Sequence, residues 1–483
     1  MFLYHQFCEM AFTNGEKAAI VQEGQTISYR QLSRFVEIFS VILTEYGIKS
    51  NSRLAIFLQQ DYKYIITAMA AVKLGAVLIP VNTHVKPDAV SSMFTQLGVE
   101  IVVCDNQTEI KLPTGVSKLR FNLEMTESVF QKTSEIPTIN ASAPCILLTT
   151  SGSTGNPKAV CVSYHSFSNR VEKEFQIFQL SKEDRMLISM PLYHACGQRM
   201  MFTALCNGMT LYLLQGFTPS RWLNIVKNAA ITYTMTAPAQ LAQIVLNEQI
   251  SGCSFPNLKL VSASSYLSVR LKRQVLEQLN CQLFNLYASS EADFIALDCC
   301  DNGDNGNLLG IPVTGVQLRV VSGGHLAEIG EIGEITCSSP WLFSGYYAGE
   351  AECPTTESDY FSTGDMGFTD DLHRLHYVGR KKNIIISGGV NIFPEDIESK
   401  IALLPAVQEC IAYPIAHRIL GEVIAVDIVV KSNEILNLME VRKHCLKELA
   451  DYQQPRQIIF VDHIERNALG KIVRKMKPEG RAE

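Results

Sequence analysis

The sequence predicts an α/β protein of at least two domains, with a stretch of antiparallel β structure between them. Three observations carry that prediction. Apolar runs of strand length alternate with helix-period segments through the first half. From about Leu308 the runs shorten and are punctuated by Gly and Ser turns. After Gly379-Arg380-Lys381-Lys382-Asn383 the α/β alternation resumes for about 100 residues, enough for a small domain of its own. Length agrees, because 483 residues exceed the roughly 250–300 at which a single hydrophobic core stops growing.

Residues 27–32 lead into Phe35, Phe39, Val41, Ile42 and Leu43, a helical apolar spacing that stops at Gly47, a C-terminal capping residue. Residues 53–58 then read as a strand, 62–74 as a helix and 76–81 as a second strand, and that order argues for a βαβ unit and a parallel sheet. Further buried strands are expected at 100–104, 146–149, 209–214 and 259–262. Residues 317–321 and 333–337 alternate as antiparallel, barrel-like strands do. The boundary of the last domain falls near Lys382.

Composition removes several function classes. With 42 Lys+Arg against 48 Asp+Glu, the net charge of −6 offers no broad positive field, so nucleic acid is not an expected partner. The 14 cysteines show no C-x-x-C spacing, which suits neither a zinc site nor a disulfide scaffold, and they read as free thiols of a reducing, cytoplasmic compartment. The opening residues place no basic stretch ahead of an apolar core, so no secretory signal is expected. The most apolar stretch, 64–81, is broken by Lys73, Gly75 and Pro80 and falls short of the ~20 residues a membrane span needs, so it belongs to a protein core and no integral membrane segment is expected.

The most informative segment is Leu147-Leu148-Thr149-Thr150-Ser151-Gly152-Ser153-Thr154-Gly155-Asn156-Pro157-Lys158. Small residues leave backbone N–H groups open to anionic oxygens, hydroxyls add donors, and Lys158 supplies a compensating charge. It is not a Walker A loop, since the fifth residue after Gly152 is Pro157 and Lys158 is followed by Ala159. No two glycines are separated by a single residue, which removes the dinucleotide fingerprint, and no G-x-S-x-G elbow is present. Taken alone, the segment also reads as a Ser/Thr/Gly surface turn.

It does not stand alone. The loop resembles the phosphate-binding signature of the adenylate-forming superfamily: acyl-CoA and aryl-CoA ligases, adenylation domains of peptide synthetases, and firefly-type luciferases. Matches run in order through nearly the whole chain. Residues 28–32 (S-Y-R-Q-L) and 74–82 (L-G-A-V-L-I-P-V-N) resemble that superfamily's N-terminal landmarks. Pro191-Leu192-Tyr193-His194 is similar to its P-[LM]-[FY]-H segment, and Tyr287-Ala288-Ser289-Ser290-Glu291 to its Y-G-x-T-E. Ser362-Thr363-Gly364-Asp365 resembles T-G-D, Gly379-Arg380 with Gly388-Gly389-Val390-Asn391-Ile392-Phe393-Pro394 the hinge and post-hinge segment, and Asn467-Ala468-Leu469-Gly470-Lys471-Ile472 the terminal x-x-G-K-I.

The resemblance implies a large N-terminal domain over 1–381, built of two parallel α/β subdomains and a β-barrel-like subdomain, followed by a small mobile α/β domain over 382–483 hinged at Lys382. It implies ATP-dependent activation of a carboxylic acid as its acyl-adenylate, with pyrophosphate released, then transfer to the thiol of CoA. Joining a carboxylate to the α-phosphate brings two anions together, so cations and a metal are needed. By resemblance, Thr150, Ser151, Gly152, Ser153, Thr154, Gly155 and Lys158 hold the β- and γ-phosphates, Ser290 contacts phosphate and Glu291 helps bind Mg²⁺, which acts as Lewis acid and template. Tyr287 stacks on adenine, while Asp365 accepts from the two ribose hydroxyls and Arg380 donates to the same sugar. Lys471 reaches the substrate carboxylate and the α-phosphate during adenylation. His194 stands at the wall of the acyl pocket, whose other residues are Ala263, Ser264, Leu286 and Ala288. Gly388 and Gly389 line the thiol tunnel once the small domain has swung.

Read without the resemblance, Asp365 is a turn residue, Glu291 a helix-start carboxylate, His194 a core histidine and Lys471 an exposed lysine. The chain also departs from the pattern. Ala288 and Leu286 stand where glycines are common, and Ala263-Ser264-Ser265-Tyr266 occupies a stretch that in relatives is G-G-A-P. These replacements imply a small or flat acid, not a long fatty acid. Glu465 and Gln453 replace residues expected at the lysine loop and beside CoA, and no aspartate follows His194 to hold an α-ammonium group. Three alternatives stay open: loading of a carrier protein's phosphopantetheine arm, a catalytically silent nucleotide-binding relative, and luciferase-type oxidation. A homodimer is compatible with the sequence.

Overall fold

The computed structural model describes residues 2–85, 87–123, 134–150, 158–300, 307–347, 360–432, 434–466 and 474. The chain divides into two compact units. The first comprises Met1–Gly303, Val313–Val316 and Ser338–Asp359, the second Asp304–Pro312, Gln317–Cys337 and Tyr360–Glu483.

Unit 1 contains two sheets. In one, seven strands run in the order Gly345–Tyr347, Lys158–Ser163, Pro144–Thr150, Val77–Pro80, Arg53–Phe57, Ile101–Cys104 and Ser117–Arg120. Its centre is parallel, and Val77–Pro80 and Ile101–Cys104 are buried at every position, as parallel strands covered on both faces must be. The flanking pairs, Pro144–Thr150 with Lys158–Ser163 and the latter with Gly345–Tyr347, are antiparallel. In the other sheet, parallel strands Gln282–Ser289, Lys259–Ser262, Tyr233–Thr236, Arg185–Ile188, Thr210–Leu213 and Ala18–Gln22 are flanked by two strands that pair antiparallel to them, Asp293–Cys299 and Gln25–Ser28.

The expected first helix is found as Tyr29–Glu45, opened by a capping box between Ser28 and Gln31 and closed before Gly47, whose φ of +88° suits a glycine. The 53–81 βαβ reading is met by Arg53–Phe57, the helix Tyr62–Lys73 and Val77–Pro80. That helix is buried from Tyr64 to Lys73, so the apolar stretch does lie in a core. Among the described residues no helix is long and apolar enough to cross a membrane.

Unit 2 carries an antiparallel array in the order His325–Leu326, Gln317–Ser322, Gly333–Ser338, Phe361–Thr369, Leu375–Arg380 and Leu308–Pro312. A second sheet follows: Val390–Ile392, Ile385–Ser387, Gly421–Val430 and Val407–His417, with Gln457–Phe460 pairing parallel to Gly421–Val430. The helices Pro394–Ile401 and Leu438–Glu448 pack on this sheet through Ile397, Ile401, Val441 and Cys445.

One expectation about the thiols needs correction. Cys8, Cys104 and ten others are free, but Cys161 is disulfide-bonded, which no spacing rule in the sequence signals.

Candidate active site

The strands flanking the loop expected to hold phosphate form a hairpin with Thr150 opposite Lys158. Ser151, Gly152, Ser153, Thr154 and Gly155 lie outside the described residues, as do the side chains of Thr150 and Lys158. The next strand, Gly345–Tyr347, pairs Tyr346 with Val160 and so brings Tyr346 beside the strand that leaves the loop.

Tyr346 reaches the second part of the site. Its hydroxyl donates to Glu291 Oε1 at 2.9 Å, and burial together with the neighbouring carboxylate pushes that hydroxyl's pKa up, which keeps it a donor. Glu291 is not at a helix start. It lies in the three-residue turn between Gln282–Ser289 and Asp293–Cys299, where Ser289 pairs with Asp293. Asp293, the first residue of the strand that leaves the turn, is left-handed with φ +52°. The amide of Ala292 donates to Ser289 Oγ inside the turn. A β-bulge between Tyr287 and Ala288 re-aims the strand just before it.

A buried arginine holds this turn. Arg170, on the helix Tyr164–Ile177 that directly follows Lys158–Ser163, donates from Nη1 to the Ser290 carbonyl (3.1 Å), from Nη2 to the Glu291 carbonyl (2.8 Å) and from Nε to the Trp341 carbonyl (3.0 Å). The Phe343 amide also donates to the Glu291 carbonyl at 2.8 Å. Below lie more buried charges. Arg199 pairs with Asp293 and, at 3.2 Å, with Glu174; its guanidinium lies 4.2 Å from the centroid of the Phe294 ring; and Arg170 Nε is 3.6 Å from Asp293 Oδ2. Burial alone would lower the Arg199 pKa, but Asp293 and Glu174 outweigh it and hold the group charged.

Arg199 belongs to the helix Ala195–Cys206, whose N-cap is His194. His194 is half-buried, with its ring 4.6 Å from that of Tyr193. The helix packs closely there: a Cβ on Gly197 would lie 2.3 Å from the Pro191 carbonyl oxygen. Ala263 and Leu286 are buried, and Ala288 is half-buried on the bulged strand. Ser264 is exposed with φ +81°, so it keeps the backbone that a glycine would adopt without strain.

Unit 2 holds the remaining candidates. Asp365 and Arg380 stand opposite each other on adjacent strands, and Arg380 Nε lies 2.7 Å from Asp365 Oδ1. Asp365 is buried, whereas Arg380 is 45% exposed. Lys382 is exposed in a short 3₁₀ turn, Lys381–Asn383. Gly388 and Gly389, with φ +57° and +85°, make the two-residue loop joining Ile385–Ser387 to Val390–Ile392, the conformation a type I′ turn demands. Lys471 lies outside the described residues.

Residues 7–347 match the family described as AMP-binding enzyme, and residues 396–471 match the AMP-binding enzyme C-terminal domain. The chain belongs to the AMP-binding enzyme family. It is 26% identical over 477 residues to the indoleacetate–CoA ligase of Aromatoleum aromaticum, covering 94% of this chain and 93% of that one. It is 25% identical over 465 residues to the 2-succinylbenzoate–CoA ligase of Bacillus licheniformis, covering 95% and 96%. Its fold is shared with the o-succinylbenzoate CoA synthetase of Bacillus subtilis in complex with its acyl-adenylate intermediate (TM-score 0.85, 22% identity, 97% and 96% covered) and with ATP-bound MatB of Rhodopseudomonas palustris (TM-score 0.87, 23% identity, 98% and 97% covered).

In this AMP-binding enzyme, unit 1 brings Glu291 and Ser290 together with the strands that bracket the phosphate loop, and unit 2 pairs Asp365 with Arg380. A lone carboxylate suits Mg²⁺ on a nucleotide, because that ion is ordinarily held by one or two carboxylates plus the phosphates. Glu291 fits: its backbone is pinned, and one carboxylate oxygen takes the Tyr346 hydroxyl. The sequence reading missed Arg170, Glu174, Arg199, Asp293 and Tyr346. For Arg170, Glu174 and Arg199 the available signal was a charged residue at an apolar-face position of a helix; for Asp293 and Tyr346, which lie on strands, there was none.

Proposed function

We propose that the chain is an AMP-forming acid–thiol ligase that activates a small or aryl carboxylic acid with ATP and passes the acyl group to CoA. The observation that carries this reading is the convergence of the Glu291 turn on the strands that bracket the phosphate loop, made by Tyr346 from one side and Arg170 from the other. In the first half-reaction a carboxylate oxygen of the acid attacks the α-phosphorus, and the bond from that phosphorus to the bridging oxygen breaks, so that pyrophosphate leaves with the electron pair. Mg²⁺, when bound, supplies charge neutralisation on the phosphates. The residues of 150–158 and Ser290 hold the polyphosphate, Glu291 the metal, Asp365 and Arg380 the ribose, Tyr287 the adenine, and Lys471 bridges the acid and the α-phosphate.

In the second half-reaction the sulfur of CoA attacks the acyl carbon and AMP departs with the C–O electron pair, the thiol proton passing to solvent. Lys471 has to withdraw for the thiol to enter. We place the hinge at Lys382, dividing 1–381 from 382–483, and the two family matches support this, since one ends at residue 347 and the other begins at 396. Gly388 and Gly389 then line the thiol tunnel. The cytoplasm, where CoA and ATP are available, is the compartment this reading requires.

The acid is small or flat on the strength of Leu286, Ala288 and the Ala263–Ser264 backbone, which add bulk at the pocket of His194. Relatives named for indoleacetate and 2-succinylbenzoate support it. A relative named for long-chain fatty acids, 23% identical, makes the contrast worth testing. The test is acid-dependent ATP–pyrophosphate exchange across aryl, short-chain and palmitate-length acids, followed by AMP release with CoA or with a phosphopantetheinylated carrier protein. Exchange with aryl or short acids and AMP release with free CoA are expected. Preference for palmitate overturns the acid class, preference for the carrier overturns the acceptor, and no exchange with any acid overturns the activity.

A further inference from the structure

We propose that Arg170 is a positioning residue for adenylation, fixing the Ser290–Glu291 turn so that the Glu291 carboxylate meets a metal bound to the triphosphate. This rests on the reading of Glu291 as the metal carboxylate.

The turn has little to hold it by itself. A three-residue hairpin loop leaves its carbonyls outside the ladder, and here that of Ser290 takes an Arg170 N–H, while that of Glu291 takes one from Arg170 and one from the Phe343 amide. Arg170 meets both with one planar group, and its third nitrogen ties the Trp341 carbonyl, so the turn and the segment leading to Tyr346 are fastened to the same guanidinium. Only arginine offers donors in a rigid fork of that reach; lysine is a point charge that cannot span three carbonyls.

The arginine itself is 1% exposed and needs a countercharge. Asp293 supplies it at 3.6 Å from the residue that closes the same turn in the left-handed conformation. Arg199 and Glu174 complete the set, giving two positive and two negative groups, each nearly inaccessible to water. The turn is therefore gripped at its carbonyls and at its last side chain.

Connectivity gives the arrangement its purpose. Arg170 stands one helix beyond the strand Lys158–Ser163, which begins where the phosphate loop ends. Tyr346 stands one strand across from that same strand and donates to the Glu291 carboxylate. The backbone of the turn and the side chain of Glu291 are thus both referenced to the element that leaves the phosphate loop. A displacement of about 1 Å in such a group is enough to cost a hundredfold in rate.

The experiment uses the full chain, with Mn²⁺ as the probe. Electron paramagnetic resonance follows loss of the free Mn²⁺ signal in the presence of α,β-methylene-ATP, for wild type, Arg170→Lys and Tyr346→Phe. Metal-free nucleotide affinity is measured in parallel by equilibrium dialysis, and intrinsic fluorescence checks that unit 1 is folded. The expected result for Arg170→Lys is at least a tenfold weaker Mn²⁺ constant in the ternary complex with metal-free nucleotide affinity within about twofold of wild type, and for Tyr346→Phe a smaller loss in the same direction. Wild-type Mn²⁺ binding in folded Arg170→Lys overturns the inference, and so does an equal loss of metal-dependent and metal-free nucleotide affinity. If Arg170→Lys does not fold, the Tyr346→Phe result decides on the same terms. A wild-type protein that recruits no Mn²⁺ to the nucleotide overturns instead the role of Glu291 on which the inference rests.

Discussion

Replacing Arg199 with methionine tests whether the buried charges of unit 1 are balanced as a set. Methionine keeps much of the side chain's length and apolar bulk, so the change is mainly one of charge. Arg199 is 1% exposed, and it faces Glu174 and Asp293, whose side chains are 0% and 4% exposed. After the substitution two carboxylates share the single remaining guanidinium of Arg170, and one buried negative charge has no counter-charge, although Glu174 keeps the hydroxyls of Tyr233 and Thr203. Breaking a buried pair in this way costs about 3–5 kcal/mol, several times what a surface ion pair contributes. Both tryptophans of the chain, Trp222 and Trp341, are buried in unit 1, so intrinsic fluorescence reports that unit specifically. With a urea slope of about 3 kcal/mol per M, the unfolding midpoint of Arg199→Met falls by more than about 1 M. Adding Glu174→Gln restores the balance of one positive and one negative group and recovers at least half of the loss. A midpoint within about 0.3 M of wild type would refute the reasoning. A double variant no better than the single one would assign the loss to the Phe294 contact and to packing rather than to charge.

Other predictions reach other parts of the protein. Lys471→Ala abolishes acid-dependent ATP–pyrophosphate exchange while leaving thioester formation from supplied acyl-adenylate largely intact; equal loss of both half-reactions in a rapid-quench assay counts against domain alternation. Asp365→Ala removes a buried carboxylate expected to accept from the ribose, and it weakens ATP binding by about 10- to 100-fold, measured by calorimetry, with the acid's KM little changed. Glu398 gives a pH signature: burial pushes its carboxyl up from 4.5 to about 7, against the pull of Arg474, which meets both its oxygens at 2.6 Å. The folded state therefore holds a proton that the unfolded chain releases, so the contribution is fully present below pH 4.5 and is lost as pH rises through 7, a change on the order of 3 kcal/mol. Hydrogen exchange of the strand Val407–His417, where the Ala412 amide donates to Glu398, should show wild-type protection falling relative to Glu398→Gln between pH 5 and 8; parallel profiles would sink this assignment.

Much of the fold was readable because its elements obey local rules. The run at 53–81 supplied apolar continuity for two buried strands, a helical period between them and a glycine at the turn, and the structure places Arg53–Phe57, Tyr62–Lys73 and Val77–Pro80 there. The helix Phe2–Thr13 was not anticipated, since its apolar residues follow no single face clearly enough to show a helical period. Pairing was harder still. Gly345–Tyr347 is three residues long and lies beside Lys158–Ser163, far away in sequence, and nothing in either segment names the other. The same non-locality interleaves the units: 313–316 and 338–359 return to unit 1 after the chain has entered unit 2. A reading that proceeds along the chain has no local signal for such returns.

The candidate site divides along a similar line. Glu291, Tyr287, Asp365 and Arg380 were legible as candidates because the groups proposed to meet a nucleotide are tied to a short motif, and a motif is a local object. Arg170 and Glu174 are four residues apart on one helix, a spacing that ordinarily marks a solvated ion pair on an exposed face. In the structure both are buried, and each is answered from elsewhere, Glu174 by Arg199 and by the Tyr233 hydroxyl at 2.8 Å, Arg170 by Asp293 and three carbonyls. A buried charge is intelligible only with its counter-charge in view, and here the partners come from separate helices and a hairpin. Recognition of chemistry from sequence therefore stops at the groups that meet the substrate. The groups that hold them in register are specified by tertiary complementarity, which is why a second carboxylate next to the motif, Asp293, drew no reading from the sequence although it pairs with Arg199 beside the turn that presents Glu291.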